Sequence, residues 1–158
     1  MDSLMRGPAS NTIVQPIEIA SGIFWLRIEG AWGRPNVYFI RSGSSWSLID
    51  TAWPFWGRRI EAAAETVFGM KTRPASILLT HGHPDHSGSA LELSRDWDLP
   101  IYMHEDEQPG GKYPSEYLYP IGRFIGPLMR LMPHRTGPSL QEATRAIDLS
   151  TGVPGLPD

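Results

Sequence analysis

The stretch "LLTHGHPDHSG", residues 78–88, decides how this chain is read. Its six residues from His81 to His86 hold three of the chain's five histidines, with Asp85 between two of them. Imidazole nitrogen and carboxylate oxygen are borderline-to-hard donors that suit zinc, iron(II) or manganese. Gly82 and Pro84 bend the backbone, so His81, His83, Asp85 and His86 need not alternate between two faces as they would along a strand. A loop of this kind can aim one pair of donors at one metal ion and the second pair at a neighbouring ion. Two ions so placed can hold a hydroxide between them and polarise the bond being cleaved. A lone histidine is ordinarily a surface or hydrogen-bonded core residue, and "HPD" by itself suits an Asx-type turn. Four donors together behind a buried strand point instead to a metal site.

The flanking sequence supplies that strand. "PASILLT" (74–80) is a short continuous apolar run, as expected of a strand buried on both faces. "SGSALELSRDW" (87–97) has helical spacing with Ser87 as its candidate N-cap, and "LPIYMHE" (99–105) reads as a further strand. This order predicts parallel strands around a crossover helix, with the histidines at the carboxyl end of the first strand, where α/β sheets form their sites. Further upstream, "GIFWLRI" (22–28), "NVYFIRS" (36–42) and "SWSLIDT" (45–51) are rich in aromatic and β-branched residues and separated by glycine-containing breaks. They predict strands joined as hairpins or a meander. In "WGRRIEAAAETVFG" (56–69), Ile60, Ala63, Ala64, Val67 and Phe68 recur at helical spacing, with Gly69 placed to end the helix.

After Glu105 the pattern weakens. "DEQPGGKYPSEYLYP" (106–120) is a turn-rich loop whose tyrosines suit either solvent or a substrate-covering insertion. "IGRFIGPLMRLMP" (121–133) suits a short interrupted apolar helix, and "AIDLSTGVPGLPD" (146–158) one strand and a tail. Residues 1–12 are small and polar and are expected to be a flexible terminus, which leaves one domain over 13–158.

Composition narrows the partners. A formal net charge of −3, from 14 basic and 17 acidic residues, gives no support for a nucleic-acid or anionic-membrane surface. The chain has no cysteine, which excludes disulfides and thiolate metal ligands, so a bound metal must use imidazole and carboxylate. No run approaches the roughly 18 apolar residues of a membrane helix, and "MDSLMRGPASNT" lacks the apolar core of a signal peptide. The expectation is a cytoplasmic protein.

"THGHPDHSG" resembles the T-H-x-H-x-D-H-x-G motif of the metallo-β-lactamase-fold superfamily, whose members include class B β-lactamases, glyoxalase II-like thioesterases, lactonases and ribonuclease Z-like nucleases. "NVYFIRSGSSWSLIDTAW" (36–53) resembles that family's strand–strand segment ending in Asp-Thr-Gly, with Asp50 and Thr51 in the matching places and Ala52 where glycine is usual. The resemblance implies an α/β (α+β) fold: the first half of an αββα sandwich, a mixed sheet with flanking helices. It implies that His81 and His83 bind one divalent ion, zinc or alternatively iron or manganese, and that Asp85 and His86 bind a second. In mononuclear relatives the aspartate at the place of Asp85 can instead assist as a general base. Asp50 would be a buried carboxylate that orients the ligand loop. Trp53 and Trp56 suit either the core or the wall of a substrate pocket.

The implied activity is a metal-dependent hydrolase, a metal-activated hydroxide attacking an ester, thioester, lactam or phosphodiester of a small-molecule substrate. In the family the site is completed from the second half of the domain by a third histidine, a bridging aspartate and a last histidine. The histidines left here are His104 in "YMHEDE" and His134 in "LMPHRTG", neither in that setting, and no downstream aspartate is well placed to bridge. The expectation is therefore a truncated member lacking its C-terminal half. Such a chain would leave an apolar sheet face, with Trp25, Phe39, Leu48 and Ile77 contributing to it, for a homodimer partner or complementing chain to cover. The alternative expectation is an inactive remnant or interaction module with partial metal binding.

Overall fold

The computed structural model describes residues 15–28, 33–107, 140–148, 150–153 and 155–156. Among them lies one seven-stranded mixed sheet whose strand order follows the chain. The strands β2 (Ile23–Arg27), β3 (Asn36–Ser42) and β4 (Ser45–Ile49) form the antiparallel meander that the aromatic runs predict, and β1 (Ile17–Ala20), which those runs do not include, adds a further antiparallel strand at its edge. From β4 onward the pairing turns parallel, through β5 (Ser76–Leu79), β6 (Ile101–Met103) and β7 (Thr144–Ala146). The parallel pairs need crossovers, and the helices provide them. Helix α1 (Gly57–Phe68) joins β4 to β5. A short α2 (Pro84–Ser87) and then α3 (Ala90–Trp97) join β5 to β6. A four-residue helix, α4 (Leu140–Ala143), precedes β7.

The register sorts the side chains onto two faces. Phe24, Phe39, Leu48, Ile77 and Ile101 pair in one continuous row across β2 to β6. Four of these five are buried, with Phe24 packed against them, in a core shared with Ile60, Ala63 and Ala64 of α1 and Ala90, Leu93 and Trp97 of α3. The helix residues recur three or four positions apart, so each helix turns one stripe inward. Trp46 anchors one end of this layer. Its ring stacks on Phe68 at 4.7 Å and meets Phe39 and Trp97 edge-on, and its indole N–H donates to Thr72 Oγ1 at 2.8 Å. A buried tryptophan therefore keeps its polar atom satisfied.

The opposite face carries a second row, Trp25, Tyr38, Ile49, Leu78 and Tyr102, all only half-buried. This corrects the expectation for that face. Trp25 lies on it, but Phe39, Leu48 and Ile77 point to the helices, because side chains alternate along a strand and these three share the other parity. Near Ser47 and Ser76, both fully buried, a side chain at Gly155 would come within 2.3 Å of the Ala75 Cβ. Gly155 thus lies against this part of the sheet.

Most element boundaries agree with the sequence reading; the strand expected within 146–158 is instead Thr144–Ala146, and the helix expected from Ser87 is divided. Ser87 closes α2 instead of capping a long helix, and the N-cap position of α3 is Ser89. Pro84 starts a short helix of its own, and the glycine after it separates the two. The expected terminus 1–12, the helix 121–133, His134 and most of the tyrosine-rich loop lie outside the described residues. Among the described residues no helix is long and apolar enough to cross a membrane.

Candidate metal centre

Parallel pairing of Ile49 with Leu78 brings the carboxyl ends of β4 and β5 side by side. The residues just beyond them are Asp50 and Thr80. Asp50 adopts a left-handed backbone (φ 60°) while its N–H donates to Leu78 O at 2.8 Å, which turns its side chain into the fold. Asp50 is 4% exposed, and its carboxylate is used on both oxygens. Oδ1 accepts the Thr80 backbone N–H at 2.8 Å. Oδ2 accepts the Thr80 hydroxyl at 2.8 Å and lies 2.7 Å from His86 Nδ1. Three partners on one buried carboxylate offset the cost of removing it from water.

This network fixes the two histidines chemically. An ionised carboxylate only accepts, so the proton between Asp50 and His86 belongs to Nδ1. The Thr80 hydroxyl gives its single proton to Asp50, so towards His81 Nδ1, 3.0 Å away, it can only accept. Both imidazoles therefore carry hydrogen on Nδ1, which leaves Nε2 as the nitrogen whose lone pair a neutral ring offers to a metal. Burial, and then the neighbouring His86 and His83, push the His81 pKa below its ordinary value, against the opposing pull of Asp50 and Asp85. A neutral ring keeps its lone pair.

The loop's backbone is tied down with equal care. The N–H and the hydroxyl of Thr51 both donate to His86 O, at 2.7 and 2.9 Å. Gly88 N–H donates to Ala52 O at 2.9 Å, and the Ser89 hydroxyl donates to Trp53 O at 2.7 Å while accepting from the Trp56 N–H at 3.0 Å. Gly88 is required for contact: a Cβ there would sit 2.4 Å from Pro54 and 2.5 Å from Pro84 O. Ala52, where the resemblance expects glycine, holds φ 55°, so the tight turn forms in spite of its side chain.

The three histidine rings gather: His81 lies 4.7 Å from His83 and 4.1 Å from His86, between ring centroids. Asp85 Oδ2 is 3.6 Å from His86 Nε2. His83 is exposed, while His81, Asp85 and His86 are half-buried. Among the described residues, no three histidine, aspartate or glutamate side chains converge closely enough to grip an ion. The donors nevertheless fit a divalent metal in kind, with two Nε2 atoms freed by the Asp50 network. His83 and Asp85, on the open side, are the candidates to close round it.

Other expected positions separate from the site. Trp56 is a core residue at 7% exposure, with Arg59 over its ring. Trp53 packs partly on the core, and its buried Nε1 has no hydrogen-bond partner among the described residues. His104 is exposed after β6, where its Nδ1 accepts from the Asp106 N–H at 3.2 Å. Asp148 holds a surface turn through Ser150. Thr80 and Ser89 were not singled out from sequence. The signal for Thr80 was a hydroxyl directly before the first histidine. Ser89 offered none, because its role depends on a contact 33 residues away.

Residues 30–155 match the family model described as "Metallo-beta-lactamase superfamily". The chain belongs to that superfamily. It is 34% identical over 148 residues to "Probable metallo-hydrolase YflN" of Bacillus subtilis (strain 168), covering 89% of this chain and 51% of that one. It is 31% identical over 84 residues to "Probable metallo-hydrolase YqgX" of the same organism, covering 53% of this chain and 37% of that one. Among solved structures, MEM-A1, a subclass B3 metallo-beta-lactamase isolated from a soil metagenome library, shares the fold. Its TM-score is 0.50 at 20% identity, covering 59% of this chain and 34% of that one. The chain thus spans about half the length of the relative YflN.

Proposed function

We propose that this chain carries the metal-binding half of a metal-dependent hydrolase, acting on an ester, thioester, lactam or phosphodiester of a small molecule. The observation that supports this most is the Asp50 carboxylate, which holds Thr80 and His86 together and leaves Nε2 of both His81 and His86 free. His81, His83, Asp85 and His86 would hold the ion or ions, zinc first and iron or manganese as alternatives. The metal would supply a Lewis acid and a water made acidic enough to attack at neutral pH. Asp50 keeps the imidazoles oriented, Thr51 fixes the backbone beneath His86, and Asp85 stands beside His86 as the group able to take up a proton. The test is a panel of the four bond types, assayed with the zinc-loaded chain before and after chelation. Turnover of one class, lost on chelation and in His83→Ala, is the expected result. Metal-independent turnover would contradict it.

A second reading, an interaction module that binds metal without turnover, draws on the half-buried row Trp25, Tyr38, Ile49, Leu78 and Tyr102. Zinc binding with no hydrolysis in the same panel, together with self-association, would favour it.

A further inference from the structure

The turn Trp53–Trp56 has a residue that stability alone does not explain. Phe55 is 82% exposed and sits at φ 72°, a left-handed backbone that bulky side chains avoid. It follows Pro54, and a proline followed by a positive-φ residue is the pattern of a type II turn, where glycine ordinarily stands. Asp50 and Ala52 are left-handed as well, so three non-glycine residues within six positions carry strain. Surrounding bonds hold that strain in place. Trp53 O and the Trp56 N–H, on either side of Phe55, are both fastened to the buried hydroxyl of Ser89. Pro54, directly before it, lies against Gly88, the residue that follows the ligand-bearing helix α2. A large ring is therefore kept in solvent, in a strained conformation, on a clamped loop whose Pro54 lies against Gly88, directly after the ligand-bearing helix α2. Strain retained in this way collects at functional sites. Met70, similarly exposed at 80%, adjoins the far end of α1 and serves as a comparison.

We propose that Phe55 is a substrate-contacting residue, its ring held out to receive an apolar, ring-bearing group of the substrate beside the scissile bond. This deepens the hydrolase reading and rests on it, yet its test needs no turnover. The probes are N-benzylacetamide and N-methylacetamide, an inert amide with and without a ring, followed by saturation-transfer NMR on the wild-type chain and on Phe55→Gly, Phe55→Asn and Met70→Gly.

The benzyl protons should receive saturation in wild type and in Met70→Gly. The transfer should fall at least about threefold in both Phe55 variants, with little transfer to N-methylacetamide throughout. Melting temperatures of the two Phe55 variants should stay level or rise by about 2–4 °C as the strain is released. No transfer in wild type, or equal transfer in the variants, would overturn the proposal. So would a drop in melting temperature, which would make Phe55 a packing residue. A chain that binds the benzyl probe but hydrolyses nothing would count against the hydrolase reading and leave the ring's contact standing.

Discussion

Asp50 turns both of its carboxylate oxygens towards two neighbours, and the free nitrogens of the site follow from that. Substituting Thr80 by valine keeps the shape but removes the hydroxyl that receives the His81 Nδ1 proton and donates to Asp50. Nitrogen-15 NMR of the imidazoles should show hydrogen on Nδ1 in both His81 and His86 of the wild type. In Thr80→Val, His81 should become a mixture of tautomers while His86 keeps its form through Asp50. An unaltered His81 would show that the hydroxyl does not set its tautomer. The four candidate ligands were legible in the sequence because donor type and spacing are written there directly. The role of Ser89 was not, since a hydrogen bond across 33 residues leaves no local trace, and for Thr80 only the hydroxyl before the first histidine was visible, its bonds to Asp50 spanning 30 residues.

At the scale of the elements, α1 and α3 bring carboxylates together beside the core. Burial, followed by Asp96, Glu92 and Glu65, raises the Glu61 pKa, with Arg58 opposing. The native state therefore takes a proton at higher pH than the unfolded chain does, whose ordinary value is 4.5. The sign follows: charged Glu61 is a liability at neutral pH, and native stability is recovered as pH falls through the raised value towards 4.5. Glu61→Gln should melt higher than wild type at pH 7, with the advantage gone near pH 4.5. An equal gain at both values would point to packing instead of charge. Strands β2 to β6 and α1 were readable from aromatic runs and helical spacing. The division into α2 and α3 was not, because Gly88 lies against Pro54, a residue distant in sequence that a helical pattern does not reveal.

For the molecule as a whole, the sheet has one face closed by helices and a second carrying half-buried Trp25, Tyr38, Ile49, Leu78 and Tyr102. The sequence signalled an apolar face of this kind but not its membership, which depends on strand register. Apolar rows of this sort associate, so light scattering should find a dimer or larger species. Tyr38→Glu, at the middle of the row, should shift it towards monomer; a wild-type monomer would remove the association reading. The claim that unites these scales is that the loop from His81 to His86 is a metal site organised by Asp50. Calorimetric titration of zinc into the wild type, Asp50→Asn and His83→Ala tests it most directly. Zinc should bind the wild type, about ten- to a hundredfold more weakly in Asp50→Asn, and at one fewer site or not at all in His83→Ala. Absent binding in the wild type, or equal affinity in all three proteins, would contradict it.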